Sequence, residues 1–158
     1  MSDQTIQRRI EAMKRQRIAS QKVVNLKDYK NLRGSHVGRK NVLVVDDDQM
    51  ILTALSRVLG TRGYHVVVAS DGMGLSRALE NSRLHLFILD IHLPWVNGFE
   101  LCRLIKSHPT YRGLPLILMS AFAEKEDIKR GFDCGCDEYI AKPFDMQHIV
   151  ETVDAALV

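Results

Sequence analysis

The sequence predicts an α/β fold in which five parallel strands form an open sheet with helices on both faces. Short apolar runs, mostly β-branched, alternate along the chain with longer segments whose apolar residues recur at helical spacing. The strand-like runs are almost continuously apolar, as expected for parallel strands that are covered on both faces. Five strand–helix units with right-handed crossovers place helices on both sides of one sheet.

The elements begin near residue 41, and turn residues separate them. A Ser70-Asp71-Gly72 turn precedes the second helix, Pro94 and Gly98 lead into the third, and Pro115 opens the fourth strand. The predicted strands are Asn41–Asp46, Tyr64–Ala69, Leu84–Asp90, Leu116–Met119 and Glu138–Ala141. The predicted helices cover about 49–60, about 72–81, a segment that begins after Gly98, about 124–132, and 145–157.

Polar residues stand where four of these strands end. Asp46 and Asp47 follow the first strand, Asp90 ends the third, Ser120 follows the fourth and Lys142 follows the fifth. Parallel strands point the same way, and ligands of open α/β sheets bind outside the carboxyl ends of the strands. We therefore expect these side chains to converge on one edge of the sheet as a functional site.

The residue types indicate phosphoryl chemistry. Carboxylates with open water positions suit a hard octahedral cation, Mg²⁺ or Mn²⁺, which also binds phosphate oxygens. A carboxylate beside such an ion can act as a nucleophile and accept a phosphoryl group. Positioning and charge neutralisation then matter most, and Lys142 and Ser120 can each hold a phosphoryl oxygen.

Four motifs in order resemble the receiver domain of bacterial two-component response regulators. They are Val44-Val45-Asp46-Asp47-Asp48, Leu89-Asp90-Ile91-His92-Leu93-Pro94 with Gly98, Met119-Ser120-Ala121, and Tyr139-Ile140-Ala141-Lys142-Pro143-Phe144. The separations also fit, with 43 residues from Asp47 to Asp90, 30 from Asp90 to Ser120 and 22 from Ser120 to Lys142. The likeness covers residues 41–158 and leaves residues 1–40 as an extension.

The resemblance implies a role for each site residue. Asp90 would be the phosphoacceptor, and Asp46, Asp47, Asp90 and the main-chain carbonyl of His92 would hold the metal. Lys142 and Ser120 would contact the phosphoryl group, Tyr139 would be the aromatic that turns inward on activation, and Lys142-Pro143 would be a cis bond. The implied fold is flavodoxin-like with strand order 2-1-3-4-5.

The implied function is a signalling switch and not an enzyme beyond its own phosphorylation and dephosphorylation. A histidine kinase or a histidine phosphotransfer protein would donate the phosphoryl group, and a downstream target protein would sense the change. An unphosphorylated receiver-like scaffold is the main alternative. A haloacid dehalogenase phosphatase also uses an Asp nucleophile, but Asp46-Asp47-Asp48-Gln49-Met50 lacks the Thr or Val of its motif and no cap domain is present.

Length and composition limit the remaining possibilities. A chain of 158 residues is one domain, here with an extension, and it contains neither a signal peptide nor an apolar run near eighteen residues. We therefore expect a cytoplasmic protein without a membrane span. Three cysteines fit a reducing compartment, and Cys102, Cys134 and Cys136 are expected to be packing residues.

The extension, residues 1–40, differs from the rest of the chain in charge. It carries eleven Lys or Arg and three acidic residues, a net charge of +8, whereas the remainder has a net charge of −5. Ile6, Ile10 and Met13 share one face of a predicted helix, and an irregular, glycine-containing linker follows. A solvated arm, docking on a partner or on a second copy as a homodimer, nucleic-acid binding and an acidic membrane surface all stay open. Output could come from the receiver surface, this arm or a separate protein.

Several residues near the motifs have individual predictions. Asp48 is expected to begin a helix and His85 to be a hydrogen-bonded structural imidazole. His92 and Phe122 border the site, where they could control how water reaches the phosphoryl group. Trp95 belongs to an apolar lip after Asp90, with loop packing favoured over contact with a partner.

Overall fold

A computed structural model describes residues 3–20 and 38–157, with the side chains of 4–12 and 38–157. The strands are β1 (Asn41–Val45), β2 (His65–Ala69), β3 (Leu86–Asp90), β4 (His92–Leu93), β5 (Val96–Asn97), β6 (Leu116–Ser120) and β7 (Glu138–Ala141). The helices are α1 (Asp3–Ser20), α2 (Gln49–Thr61), α3 (Gly72–Asn81), α4 (Gly98–Ser107), α5 (Lys125–Asp133) and α6 (Met146–Ala156). The predicted elements after residue 40 are therefore confirmed to within two residues at their ends.

The five long strands form one parallel sheet in the order β2-β1-β3-β6-β7. This is the predicted order of second, first, third, fourth and fifth long strands. The register pairs Val45 with Leu89, Asp90 with Met119, and Ser120 with Ala141. The carboxyl ends of β1, β3, β6 and β7 consequently lie at the same level.

Alternation along the central strands explains why their runs are apolar throughout. Leu43 and Phe87 point into a cluster that also contains Leu75 of α3 and Leu101 of α4. Val42, Val44, Leu86 and Ile88 point the other way, into a cluster with Leu55 of α2 and Ile149 of α6. Successive strand side chains face opposite sides, so a strand in the middle of a double-sided core needs apolar residues at every position.

Side-chain caps fix where four helices begin. The side chains of Asp48, Asp71, Asn97 and Asp145 accept hydrogen bonds from backbone N–H groups in the first turns of α2, α3, α4 and α6. Such caps satisfy N–H groups that have no partner within the helix. The predicted role of Asp48 is thereby confirmed, and α2 starts directly beyond the acidic end of β1.

A small hairpin between β3 and α4 was not predicted. β4 and β5 are antiparallel, with His92 opposite Asn97 and Leu93 opposite Val96. The hairpin closes tightly at Gly98, because a Cβ atom there would lie 2.3 Å from the Cα atom of Ile91. Only glycine allows this approach, which explains the glycine at the start of α4.

The predicted N-terminal helix is present as α1, and it packs on its own chain. Ile6 and Ile10 are 4% and 3% exposed and belong to the same core cluster as Leu75 and Leu79 of α3. These two side chains are therefore seated within the chain, an arrangement different from docking on a partner or a second copy. The side chain of Met13 and the predicted linker lie outside the described residues.

Other predictions concern buried polar groups and cysteines. The three cysteines are free and buried, as expected for packing residues. His85 accepts a hydrogen bond at Nδ1 from the main-chain nitrogen of Asn41 at 2.9 Å, which confirms its structural role. Within the described ranges, every helix is too short or too polar to cross a membrane.

Candidate functional site

Three carboxylates meet at the carboxyl edge of β1 and β3. Asp46 follows β1 and is fully buried, Asp90 is the last residue of β3 and is 5% exposed, and Asp47 is exposed. One carboxylate oxygen of each lies within 4.8 Å of the others. Oxygen ligands at this spacing, with one of them open to solvent, suit a hard divalent cation.

Lys142 supplies the positive charge of the site from the end of β7. Its Nζ lies 2.9 Å from Oδ2 of Asp46 and 3.5 Å from Oδ2 of Asp90. Its main-chain nitrogen donates to the carbonyl of Ser120 at 2.7 Å, and the peptide bond to Pro143 is cis, as the resemblance implied. The ammonium group therefore contacts two of the three carboxylates across two strands of the sheet.

Burial, more than mutual repulsion, raises the pKa of Asp46. The hydrogen bond from Lys142 and the one from the main-chain nitrogen of Asp48 offset part of this rise, and the charge of Asp90 adds a smaller increase. The ionised form of Asp46 is stabilised by Lys142 and would be stabilised further by a bound cation.

Ser120 and Tyr139 are linked beside the carboxylates. Ser120 is fully buried, and its Oγ accepts a hydrogen bond from the main-chain nitrogen of Phe122 at 3.0 Å. The hydroxyl of Tyr139 donates to the carbonyl of Phe122 at 2.5 Å. Burial raises the pKa of Tyr139, and a hydrogen bond with Ser120 offsets part of the rise. Movement of Ser120 would therefore reach Tyr139 through the main chain of Phe122, to which both side chains bond.

Sequence reasoning did not identify Gly131, which makes room for the Tyr139 ring. A Cβ atom at Gly131 would lie 2.7 Å from Cδ2 of Tyr139 and 3.2 Å from Cδ1 of Leu118. A glycine inside a helix lowers helix propensity, and this was the one available signal that the position has another purpose. The sequence alone could not show which side chain fills the space.

His92 and Phe122 form the outer rim of the site. Their rings lie 4.5 Å apart at an interplanar angle of 60°, and 56% of Phe122 is exposed. The main-chain nitrogen of His92 donates to Oδ1 of Asp90 at 3.3 Å. This short loop therefore presents both an aromatic cover and a backbone donor to the carboxylate of Asp90.

The family model of the response regulator receiver domain matches residues 42–154 of the sequence. The chain belongs to the response regulator receiver family. This membership agrees with the parallel sheet, its strand order and the acidic edge described above.

Known receivers resemble the chain in sequence and in structure. The transcriptional regulatory protein GltR of Pseudomonas aeruginosa is 36% identical over 118 residues, and the response regulator ArlR of Staphylococcus epidermidis is 37% identical over 118 residues. The chemotaxis protein CheY4 of Vibrio cholerae superposes with a TM-score of 0.70 at 27% identity, covering 76% of this chain and 100% of that one. The BeF3-activated receiver domain of DrrB, from Thermotoga maritima, gives a TM-score of 0.68 at 30% identity and covers 75% and 97% of the two chains.

The curated relatives are longer than the matched region. The alignments cover 75% of this chain and 49% of GltR, and 74% of this chain and 52% of ArlR. The chain thus spans about half the length of the curated relatives it matches. The receiver part is what they share.

Proposed function

We propose that this receiver takes a phosphoryl group onto the carboxylate of Asp90 and thereby switches its affinity for a partner protein. One observation carries the proposal: Nζ of Lys142 lies 2.9 Å from Asp46 and 3.5 Å from Asp90 at the meeting point of three carboxylates. An ammonium group in this position can neutralise an oxygen of a phosphoryl group that arrives on Asp90.

The acidic cluster fits Mg²⁺ or Mn²⁺, which Asp46, Asp47, Asp90 and the main-chain carbonyl of His92 would hold. When bound, such an ion neutralises the charge of the transferring phosphoryl group and orients its oxygens. Asp47 would bind the ion from the solvent side, since its carboxylate is exposed, and Asp46 would bind it from the buried side. The cluster therefore offers the cation one exposed ligand and one buried ligand.

The proposed step is a phosphoryl transfer from a phosphohistidine. An oxygen of Asp90 forms a bond to phosphorus while the bond from phosphorus to the imidazole nitrogen of the donor breaks, and the freed imidazole takes a proton from solvent. Lys142 and Ser120 hold two phosphoryl oxygens. The donor is a histidine kinase or a histidine phosphotransfer protein.

Phosphorylation would change a surface that lies beyond the site. Added negative charge draws Lys142 and Ser120 toward Asp90, and the hydrogen-bonded Tyr139 follows Ser120. The surface formed by α5, β7 and α6 then changes its affinity for a downstream target. The phosphoryl group shifts an existing equilibrium by as much as it interacts differently with the two states.

The proposal includes an organisation in two parts. Residues 41–158 are the receiver, and residues 1–40 are a basic, partly helical extension of a cytoplasmic protein. Beyond its own phosphorylation and dephosphorylation the receiver has no proposed enzymatic activity. The net charge of +8 on the extension would favour an acidic partner, nucleic acid among them, and a homodimer is a further form in which it could act.

Phosphoryl uptake from a small donor tests the proposal. The full chain is incubated with acetyl phosphate and Mg²⁺, and intact mass is measured for the wild type, Asp90→Asn and Asp133→Asn. Asp133 is an exposed carboxylate at the end of α5, so its variant matches the charge change without touching the site. We expect one phosphoryl group on the wild type and on Asp133→Asn and none on Asp90→Asn. Labelling of Asp90→Asn, or no labelling of the wild type, would overturn the assignment.

A further inference from the structure

Helix α1 packs on α3, beside the loop that leaves the candidate phosphoryl site. Three of its residues, Ile6, Arg9 and Ile10, enclose a cavity of about 10 Å³ together with residues of α3 and Trp95. This volume is no larger than one water molecule, so the two surfaces fit closely. Trp95 of the β4–β5 hairpin thus borders the same small gap as α1 and packs against the core cluster that contains Ile6 and Ile10.

A short, tightly closed hairpin connects Trp95 to Asp90. Trp95 occupies the turn between β4 and β5, and β4 begins two residues after Asp90. At the other end, the nitrogen of Gly98 donates to the carbonyl of Ile91 at 2.9 Å, and a Cβ atom on Gly98 would lie 2.6 Å from the carbonyl oxygen of Asp90. Because the loop is closed this tightly, a shift at Asp90 or Ile91 displaces the hairpin as a unit.

The surface on which α1 packs, called its seat below, includes a buried nitrogen atom of Trp95. Nε1 of Trp95 is buried and has no hydrogen-bond partner within the described part of the chain. A buried N–H group without a hydrogen-bond partner reduces the free energy gained when α1 packs here. A second contact holds α1 further along, where Oε1 of Glu11 lies 3.6 Å from Nε2 of buried His108. A small change in the position of the hairpin would therefore change how α1 packs beside Trp95.

We propose that docking of α1 and occupation of the Asp90 site are coupled through Trp95, each strengthening the other. This inference rests on the proposed function, because a ligand on Asp90 would fix the main chain of His92 and with it the position of the closed hairpin. A hairpin whose position is already fixed loses less conformational freedom when α1 packs beside Trp95. Thermodynamic reciprocity then requires that docked α1 improve ligand binding by the same factor.

The test compares two substitutions that add the same charge to α1. Ile10→Asp places a carboxylate in the buried seat, whereas Gln7→Asp places one on the exposed face of the helix. Affinity for the phosphoryl mimic beryllofluoride is measured with Mg²⁺ in the full-length wild type and both variants, with ¹⁹F NMR reporting occupation of the site. We expect Ile10→Asp to weaken the affinity at least about fivefold and Gln7→Asp to leave it unchanged.

Hydrogen exchange supplies the reciprocal measurement. In the wild type, saturation with beryllofluoride and Mg²⁺ should slow amide exchange in α1 at least about fivefold. Equal beryllofluoride affinity in the two variants, or unchanged or faster exchange in a sample whose ¹⁹F spectrum shows a filled site, overturns the coupling. If no fluorine signal of a bound mimic appears in the wild type, the proposed function fails and the coupling fails with it. Ile6→Asp is the second seat variant should Ile10→Asp lose the circular dichroism of the folded receiver.

Discussion

Replacing Lys142 by methionine should destabilise the protein near neutral pH by about 3 kcal/mol. The substitution shortens the side chain by one heavy atom and removes the ammonium group that lies 2.9 Å from Asp46 and 3.5 Å from Asp90. Asp46 is fully buried, so its ionised carboxylate would lose its charged partner in a place where water cannot replace it. The remaining partner is the main-chain nitrogen of Asp48.

Two arguments limit the size of this loss of stability. Removing one member of a buried ion pair costs about 3–5 kcal/mol, and Lys142, with 17% of its side chain exposed, belongs near the lower end. Protonation of Asp46 sets the upper limit, because a variant can always escape the unpaired charge by binding a proton. Burial raises the pKa of Asp46 above its ordinary 3.8, so protonation near pH 7 costs less than about 4 kcal/mol.

The pH dependence follows from the same pKa. A carboxyl group whose pKa is raised in the folded state favours folding most when it is protonated, and its ionisation costs stability as pH rises through the folded pKa. The difference in the free energy of unfolding between wild type and Lys142→Met should therefore be largest near neutral pH. It should shrink as pH falls through the pKa of folded Asp46, where the buried carboxylate no longer needs a cation.

Urea denaturation with metal-free buffer near pH 7 and near pH 4 measures both effects. Lys129→Met is the control, because Lys129 lies exposed on α5 and its loss should change the free energy of unfolding by less than about 0.5 kcal/mol. A Lys142→Met variant as stable as the wild type near neutral pH, or a loss of the same size at both pH values, would refute the reasoning.

Three further predictions concern the metal, the rim and the switch aromatic. Mg²⁺ at a hundred times its Kd should raise the free energy of unfolding by about 2.7 kcal/mol, and Asp46→Asn should abolish this response in thermal melts while stabilising the metal-free protein. His92→Ala should change the decay rate of phosphorylated Asp90 as followed by intact mass, since its ring covers the site together with Phe122; an unchanged rate removes that role. Gly131→Ala should destabilise the fold despite a gain of about 1 kcal/mol in helix propensity, because its Cβ would lie 2.7 Å from the Tyr139 ring and overpacking costs about 1–3 kcal/mol. Urea denaturation reports the stability, and a more stable variant would contradict the packing argument.

The sheet could be predicted from sequence because its signals are local and repeated. Val42, Val44, Leu86 and Ile88 form apolar runs of strand length, and the acidic or polar residue that ends each run marks the carboxyl edge. Parallel topology then brings the strand ends together without further information. For this reason the proximity of Asp46, Asp90 and Lys142 followed from the order of the elements alone.

Features set by tertiary contact could not be predicted in the same way. Ile6 and Ile10 form a helical stripe that fits a seat on any apolar surface, and only the folded chain shows that the surface is α3 and Trp95. The two-residue strands of the hairpin are too short to carry a periodic signal. The raised pKa of Asp46 depends mainly on burial depth, which residue types at a strand end do not reveal.

The burial of Asp46 links stability to function in this receiver. A carboxylate that is fully buried and ionised destabilises the metal-free protein, and Lys142 offsets part of that cost. A cation held by Asp46 would relieve the rest and would leave Lys142 less tightly bound to the carboxylates. The ammonium group would then be available to a phosphoryl oxygen on Asp90, 3.5 Å from where Nζ already lies. Asp46, whose burial lowers the stability of the metal-free protein, is therefore also the residue that holds Lys142 close to the carboxylate that is proposed to receive the phosphoryl group.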